Sequence, residues 1–386
     1  MKSGWQLKRL ADVAKVSAGN SAPQDESLFK DGVYPFFRTA DAGRVRFGEI
    51  HKSADYLNDK GIKGLRRYPS GTILFPKSGA STFLNHRVML GVEGFVSSHL
   101  ATIVADTTQI EPRFLLYFLS TVAAQDLIQD HAYPSLNLPT IEGISIQSPP
   151  LHEQRRIVGI LDEAFVGITT AKANAEKNLQ NARALFESHI HSVFTQRHKD
   201  WIEKPLGEVC EYLNGKAHEQ CIDKDGRFIV INSKFISSEG AVFKKSNEAL
   251  LLLQPGDIAM VLSDVPNGKA LAKCFLVEEA NTYTLNQRIC LIRSKKFHTK
   301  FLFYQLNRNK HFLAFDNGEN QTNMRLNQIL ECPLFLPSIT EQENIAARLD
   351  DLREETQHLE FIYQQKLDAL EALKKSLLNQ AFTGEL

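Results

Sequence analysis

The segment SPPLHEQRRIVGILDEAF, residues 148–165, recurs in altered form as LPSITEQENIAARLDDL, residues 336–352. Both segments contain a proline, then Glu-Gln, then Leu-Asp, in the same spacing. Proline ends an extended segment because it has no amide proton to give to a neighbouring strand. The apolar residues that follow have the period of a helix. Each copy of the motif therefore predicts a junction at which a strand-containing domain gives way to a helix.

Further matches surround the motif in the same order along the chain. The starts WQLKRLADVAKVSAGN at Trp5 and WIEKPLGEVCEYLNGK at Trp201 are similar, as are FLLYFL at Phe114 and FLFYQL at Phe301. An offset of 188 aligns the motif and several later positions, namely Leu179 with Leu367, Leu185 with Leu373, Ser188 with Ser376 and Phe194 with Phe382. The chain is therefore interpreted as a tandem duplication. Because each copy has its own start, loops and helix, each is predicted to fold with little help from the other.

The fold class predicted for the chain is α+β, with two mixed α/β domains in a pseudo-two-fold tandem repeat and two long helices. Short β-like runs (GTILFP, FIVINS, GDIAMVLS and RICLIRS) alternate with turn residues, without a regular βαβ rhythm. The predicted boundaries are 1–149 and 201–337 for the globular domains, and 150–200 and 338–386 for the helical parts.

The helical parts carry apolar residues at alternating spacings of four and three, which is the seam of a coiled coil. The second seam is predicted to run through Ile345, Leu349, Leu352, Leu359, Tyr363, Leu367, Leu370, Leu373, Leu377 and Ala381. A helix of some forty residues spans roughly 60 Å, too long to be buried in either globular part, so the two helices are predicted to pack on each other. Thr340 and Glu343 have the form of a capping box at the second helix start.

Composition excludes several classes of protein. Lys+Arg and Asp+Glu both number 45, so net charge does not by itself indicate a nucleic-acid partner. The five cysteines have no paired spacing, which favours free thiols in a reducing cytoplasm over disulfides or a zinc site. The chain lacks a nucleotide-binding Gly-rich loop, a methyl-transfer motif and an apolar run of membrane-spanning length. No catalytic residue, cofactor, metal or membrane association is predicted.

Two divergent domains, each followed by a P-x-x-x-E-Q motif and a long helix, resemble the DNA specificity subunit of Type I restriction-modification systems. The resemblance covers essentially the whole chain, including Pro-Gly-Asp-Ile at Pro255 and the ending LKKSLLNQAFTGEL. It implies two target recognition domains that each read half of a bipartite sequence in double-stranded DNA. It also implies an antiparallel coiled coil that spaces them, with two methyltransferase subunits and motor-nuclease subunits as cytoplasmic partners. The partner platform is assigned to the repeated motif: Glu153, Gln154, Leu161, Asp162, Glu341, Gln342, Leu349 and Asp350.

Three pairs of loops are candidates for DNA contact, because Arg, Lys, Asn and Gln side chains can bind base edges. The first pair follows GTILF and GDIAMV and contains Lys77, Ser78, Ser81, Asn85 and Arg87, and Ser263, Asn267 and Lys269. The second pair contains Arg38, Thr39 and Asp41, and Asn232, Ser233 and Lys234. The third pair contains Tyr133, Ser135 and Asn137, and Gln321, Asn323 and Arg325. Asp264 also lies in the first pair, where a carboxylate must either accept from a base amino group or repel phosphate.

Two alternatives remain open from the residues alone. One is a coiled-coil scaffold whose globular domains bind protein and never touch DNA. The other is a solitary methyltransferase or nuclease of an unrecognised type. A gel shift on random duplex at low salt separates DNA binding from the first alternative, and binding of S-adenosylmethionine by the isolated chain supports the second.

Overall fold

The computed structural model describes residues 4–128, 134–195 and 200–386. The chain divides into two compact units, one of Met1–Glu176 with Gln365–Leu386 and one of Lys177–Gln364. Each unit therefore combines one globular part with segments of both long helices. The expectation that each copy folds with little from the other is wrong on this point, because the end of the second helix completes the first unit.

In the first unit, the described residues form ten strands and four short helices before the first long helix. The strands are Gln6–Arg9 (β1), Ala14–Ala18 (β2), Tyr34–Phe37 (β3), Phe47–Ile50 (β4), Asp55–Leu57 (β5), Ile73–Pro76 (β6), Arg87–Leu90 (β7), Phe95–Val96 (β8), Leu100–Ala105 (β9) and Ser145–Ser148 (β10). The helices are Leu10–Val13 (α1), Thr39–Val45 (α2), Pro112–Thr121 (α3), Leu138–Glu142 (α4) and Leu151–Thr195 (α5), whose last part belongs to the second unit.

The second unit repeats this order. Its strands are Ile202–Pro205 (β11), Glu211–Asn214 (β12), Phe228–Ile231 (β13), Lys244–Ser246 (β14), Ile258–Val261 (β15), Ser263–Asp264 (β16), Cys274–Leu276 (β17), Tyr283–Leu285 (β18), Ile289–Arg293 (β19), Thr322–Asn323 (β20) and Pro333–Leu336 (β21). Its helices are Leu206–Val209 (α6), Ser233–Ser237 (α7), Thr299–Leu306 (α8), Lys310–Leu313 (α9), Leu326–Leu330 (α10) and Ile339–Thr383 (α11), whose end belongs to the first unit.

Among the described residues, the sheets of the two units correspond, except that the main sheet of the first unit has one strand more and the second unit has the additional ribbon β16-β20. The main sheet has the order β2-β9-β6-β7-β4 in the first unit and β12-β19-β15-β17 in the second. The three-stranded sheets β5-β3-β8 and β14-β13-β18 correspond, as do the ribbons β1-β10 and β11-β21. The four β-like runs form β6, β13, β15 and β19. The prediction of two mixed α/β domains in tandem repeat is confirmed.

Aromatic residues at matching positions fasten each globular part to the long helices. In the first unit, the ring of Phe114 on α3 lies 5.2 Å from that of Phe382 on α11. In the second unit, the ring of Phe301 on α8 lies 5.4 Å from that of Phe194 on α5. Each domain therefore contacts the helix that follows the other domain in the sequence. This exchange accounts for the repeat of both phenylalanines.

The long helices run antiparallel within each unit. Lys172 Nζ lies 2.6 Å from Glu371 Oε1 in the first unit, and Arg183 Nε lies 2.9 Å from Glu360 Oε2 in the second. From Lys172 to Arg183, and from Glu371 back to Glu360, the chain advances by the same number of residues. Within each unit, the ion pair therefore joins facing levels of two antiparallel helices, as in an antiparallel coiled coil.

The row of buried residues along the second long helix differs in part from the predicted seam. Leu359 and Leu373 are 36% and 47% exposed, whereas Thr356 is buried. The Thr356 hydroxyl donates to the Leu352 carbonyl oxygen at 2.8 Å, so its burial leaves no unpaired group. Lys374 takes the place beside Leu373, with its ammonium 4.5 Å from the centre of the Phe47 ring.

The start of α11 also differs from the sequence interpretation. The helix begins at Ile339, one residue before the Thr340 that was predicted to cap it. The Ser338 hydroxyl accepts a hydrogen bond from the Glu341 amide at 3.3 Å and therefore performs the capping role.

Candidate nucleic-acid interface

Two of the predicted loops come together in the first unit. The Gly79 amide donates to the Pro134 carbonyl oxygen at 2.9 Å, and the Leu136 amide donates to the Lys77 carbonyl oxygen at 2.8 Å. An isolated antiparallel bridge joins Ser78 and Ser135. The loop after β6 and the segment before α4 thus form one surface, although they lie far apart in the sequence.

The corresponding loops also come together in the second unit. Strands β16 and β20 pair, with Ser263 opposite Asn323. The Asn267 side chain donates to the Gly318 carbonyl oxygen at 3.1 Å, and Gln321 donates to the Ser263 hydroxyl at 3.1 Å. The two units therefore build equivalent composite surfaces from the first and third pairs of candidate loops.

Asp264 organises its loop from within. Its carboxylate accepts hydrogen bonds from the amides of Val265, Ala270 and Leu271 at 2.9, 2.6 and 3.0 Å. A Cβ atom on Gly268 would lie 2.2 Å from this carboxylate, so glycine is needed there. The carboxylate thus holds a turn that presents neighbouring side chains.

The candidate side chains differ in their access to solvent. The exposed ones are Ser135, Asn137, Lys234, Asn267, Lys269, Gln321, Asn323 and Arg325. The half-buried ones are Arg38, Thr39, Lys77, Ser78, Ser81, Asn85, Asn232 and Ser233. Tyr133 lies outside the described residues.

Three candidates, Arg87, Ser263 and Asp41, are buried, which contradicts the interpretation that they face DNA. Arg87 is fully buried, with its guanidinium carbon 3.5 Å from the centre of the Phe75 ring. It donates to the carbonyl oxygens of His86 and Val122 at 2.8 and 3.2 Å, and burial lowers its pKa to about 9. Ser263 is also buried. Arg87 and Ser263 both stand at strand positions where the side chain points into the protein.

The second pair of candidate loops has structural contacts of its own. Arg38 forms an ion pair with Asp55, and its guanidinium lies 5.2 Å from the centre of the Phe36 ring. Asp41 is buried and accepts from the amides of Arg38 and Ala54. In the second unit, Asn232 caps α7 by accepting from the Phe235 amide at 2.9 Å. These positions therefore shape their loops, and Lys234 is the exposed basic group among them.

The glutamine of the repeated motif is buried and joins two segments of its own domain by hydrogen bonds. Gln154 is fully buried; its side-chain oxygen accepts from the Glu111 amide at 2.8 Å and its nitrogen donates to the Pro149 carbonyl oxygen at 2.8 Å. Gln342 is 1% exposed and repeats both contacts, with the His298 amide at 2.8 Å and the Pro337 carbonyl oxygen at 2.9 Å. Each glutamine thus ties the start of a long helix to a loop of its own domain.

The aspartate of the motif binds a tyrosine of the same domain. Tyr117 on α3 donates to Asp162, and Arg113 lies 3.1 Å from the same carboxylate oxygen. In the second unit, Tyr304 on α8 and Lys300 donate to Asp350 at 2.5 and 2.6 Å. The same pair, tyrosine and aspartate, therefore fastens each domain helix to its long helix.

These contacts shift the titration of the groups in the second unit. Burial by itself would raise the pKa of the Asp350 carboxyl, but hydrogen bonds from Lys300 and Tyr304 outweigh it and hold the pKa below its usual value. Burial first, and the hydrogen bond to Asp350 second, raise the pKa of Tyr304. The carboxylate and the neutral phenol are therefore the forms that the fold favours.

The assignment of the motif to a partner platform needs correction. Four of its residues are buried in their own units: Gln154, Leu161, Gln342 and Leu349. Glu341 accepts from the Trp201 indole at 2.9 Å, and Asp162 and Asp350 are held as described. Sequence reasoning missed Tyr117 and Tyr304 as their partners. The signal was present, because FLLYFL and FLFYQL align within one residue of the offset of the motif.

Other kinds of site find little support among the described residues. In residues 4–128, 134–195 and 200–386, no group of three or more His, Cys, Asp or Glu side chains is arranged to hold a metal ion. All five cysteines are free, and burial is the main cause that raises the pKa of each thiol. Among the helices that the structure describes, none combines the length and apolar character of a membrane span.

The chain is similar to several curated specificity subunits. It is 23% identical to the Type I restriction enzyme MjaVIII specificity subunit of Methanocaldococcus jannaschii, over 99% of this chain and 93% of that protein. It is 30% identical to the MjaIX specificity subunit of the same organism, over 38% of this chain and 34% of that protein. The EcoDI specificity subunit of Escherichia coli is 24% identical over 48% of this chain and 39% of its own length.

Solved structures share the fold across the whole chain. A chain from a structure of a type I R-M system superposes with a TM-score of 0.82 at 18% identity, covering 100% of this chain and 99% of that one. The HsdS subunit from Thermoanaerobacter tengcongensis gives a TM-score of 0.60 at 18% identity, covering 100% and 98%.

The family model described as the Type I restriction modification DNA specificity domain matches the chain twice, over residues 2–179 and 198–372. The two matches account for most of the chain and agree with the internal repeat. Together with the fold and the two composite loop surfaces, they show that this chain belongs to the family of DNA specificity subunits of Type I restriction-modification systems.

Proposed function

We propose that the two composite loop surfaces read the two halves of a bipartite sequence in double-stranded DNA. The observation that carries this proposal is that both units join the same two loops, the one after β6 or β15 and the one before α4 or α10. In the second unit this surface presents Asn267, Lys269, Gln321, Asn323 and Arg325 to solvent. Amide and guanidinium groups of this kind distinguish base pairs, whereas lysine binds phosphate.

The proposed role of the coiled coil is to set the distance between the half-sequences. Because the two long helices pair antiparallel within each unit, an insertion must be made in both helices at the same level to keep those pairings. Four added residues between Ala175 and Leu179, with four added at the facing level beside Lys366, lengthen the pair by about 6 Å.

The experiment is methylome sequencing of cells that carry this chain with its partner genes. Since DNA rises about 3.4 Å per base pair, the modified sites are expected to keep both half-sequences and gain one or two unspecified base pairs between them. A four-residue insertion in one helix alone is the control, and is expected to reduce modification rather than lengthen the spacer. Unchanged spacing in the double insertion would refute the spacer role.

The chemistry is proposed to belong to partners, two methyltransferase subunits and restriction motor-nuclease subunits, with this chain as the non-catalytic reader in the cytoplasm. The near-neutral charge fits a reader that shares phosphate contacts with such partners. We expect the purified chain to bind duplex DNA weakly and to methylate none. Methylation by the chain alone would refute this division of roles.

A docking face for the partners is proposed on α11 in the second unit, in place of the buried motif residues. Leu359, Phe361 and Ile362 are 36%, 59% and 41% exposed there. Exposed apolar side chains that form a contiguous patch mark contact surfaces, and Leu359 and Ile362 are neighbours on the helix surface. Phe361→Glu is expected to reduce co-purification of the methyltransferase subunit without weakening DNA binding by the isolated chain. If the variant co-purified fully with the methyltransferase subunit, the docking face would not lie on this part of α11.

A further inference from the structure

We infer that three residues in each unit form a positioning clamp that sets the angle between a recognition domain and its long helix. The clamp consists of Gln154, Tyr117 and Asp162 in the first unit, and of Gln342, Tyr304 and Asp350 in the second. Its role is to make the complex discriminate between spacer lengths. This inference rests on the proposed function and adds to it the residues that fix spacing precision.

Each clamp grips one short helix of the domain at two points. Gln154 binds the amide of Glu111, which is the residue that caps α3, and Asp162 binds Tyr117 six residues further along the chain. In the second unit, Gln342 binds the amide of His298, the residue before α8, and Asp350 binds Tyr304. On the long helix, the glutamine and the aspartate stand eight residues apart, about 12 Å along the axis.

Two points of attachment restrict motion that one would permit. Apolar contacts such as those of Ile157 and Leu161 with the domain core hold the surfaces together but have no direction, whereas two hydrogen-bonded contacts separated by about two helical turns fix the orientation. The tyrosine contact is of the stronger kind, because its acceptor is a carboxylate.

The neighbourhood of the clamp diverges while the clamp itself recurs. The basic group beside the aspartate is Arg113 in the first unit and Lys300 in the second. Arg113 reaches its carboxylate at 3.1 Å, and Lys300 reaches its carboxylate at 2.6 Å. The function that the two units share is therefore assigned to the glutamine, the tyrosine and the aspartate. These three residues are identical in both copies, whereas the loop residues differ.

The consequence for DNA recognition follows from the geometry of the duplex. The loops decide which bases are read, and the angle of each domain decides where along the duplex its loops land. One base-pair step is about 3.4 Å, so a domain that rocks by a few degrees can reach a half-sequence displaced by one step. A loosened clamp should therefore relax spacing without altering either half-sequence.

The test uses the complete complex with its methyltransferase subunits. Variants Tyr117→Phe and Tyr304→Phe each remove one hydroxyl and retain the ring, so they disturb folding less than Asp162→Asn. Methylation rates are measured on duplexes whose two half-sequences are separated by the wild-type spacer, or by one base pair more or fewer. Glu163→Gln and Asp351→Asn, at exposed positions beside the two aspartates, are the controls.

We expect each phenylalanine variant to lower the preference for the wild-type spacer by about tenfold, the scale of one hydrogen bond to a charged group. The preferred half-sequences should stay the same, and the controls should keep the wild-type preference. A variant that melts at a lower temperature but keeps full spacer preference would overturn the clamp and leave the DNA-reading proposal standing. If the wild-type complex showed no sequence-specific methylation, both the clamp and the DNA-reading proposal would be overturned.

Discussion

Replacing Gln154 by alanine tests whether the motif glutamine supports the fold. The side-chain oxygen accepts from Glu111, and the nitrogen lies within 3.2 Å of the Pro149 and Gln109 carbonyl oxygens and the Ser148 hydroxyl. An amide nitrogen has two protons, so at most three of these four bonds form at once. At about 1 kcal/mol for each of up to three hydrogen bonds, the loss is about 3 kcal/mol.

The assay is thermal unfolding of the full chain followed by circular dichroism. For a unit of this size, 1 kcal/mol corresponds to about 2–4 °C, so the melting temperature of the first unit should fall by roughly 10 °C. Gln180→Ala is the matched control, because Gln180 lies exposed on the same helix. Its free energy of unfolding should change by less than about 0.5 kcal/mol.

Gln154→Glu sharpens the test, because glutamate keeps the shape of the side chain but cannot donate when ionised. Its carboxylate would face the Pro149 carbonyl oxygen in a buried site, which raises its pKa in the folded state. Stability lost at neutral pH should therefore return as the pH falls through the raised folded-state value, and the recovery should be complete below the unfolded value, about 4.3. If Gln154→Ala melted within 2 °C of Gln180→Ala, while partner binding was lost, the glutamine would be a platform residue after all.

Four further substitutions have expected results. Because the pKa of Asp350 is lowered in the fold, its contribution to stability is present above about pH 4 and is lost as the pH falls through the folded value. Asp350→Asn should therefore reduce the fall of the unfolding free energy at acid pH. An unchanged fall would count against the contact. Gly268→Ala should displace the Asp264 carboxylate and speed amide exchange throughout its turn; unaltered exchange would show that the turn has room. Lys269→Ala should weaken binding to all DNA sites alike and reduce the salt slope by about one. Asn267→Ala should relax one base position at a cost of about 1–3 kcal/mol, and equal effects of the two substitutions would refute the division between phosphate and base contact.

The repeat, the domain class and the long helices could be predicted from the sequence because they depend on local patterns. The runs that form β6 and β15 are bounded by turn residues, and the helices contain no proline over their whole length. The loop pairs were matched correctly between copies, since a duplicated chain repeats its order of elements. Which loops meet within a copy could not be predicted, because the bridge between Ser78 and Ser135 joins segments that are distant in sequence.

What only the tertiary structure decided is the partner of each side chain. Arg87 has a side chain that is common in DNA contacts, but its position on the strand directs it inward onto Phe75. Gln154 and Asp162 are polar residues of a kind usually exposed at a helix start, but Gln154 is buried in its domain and Asp162 accepts a hydrogen bond from Tyr117. In the second helix, the apolar spacing placed Leu359 in the seam, whereas the structure buries Thr356 and leaves Leu359 36% exposed. Periodicity specifies that a face is buried, whereas the neighbour that covers it determines which face that is.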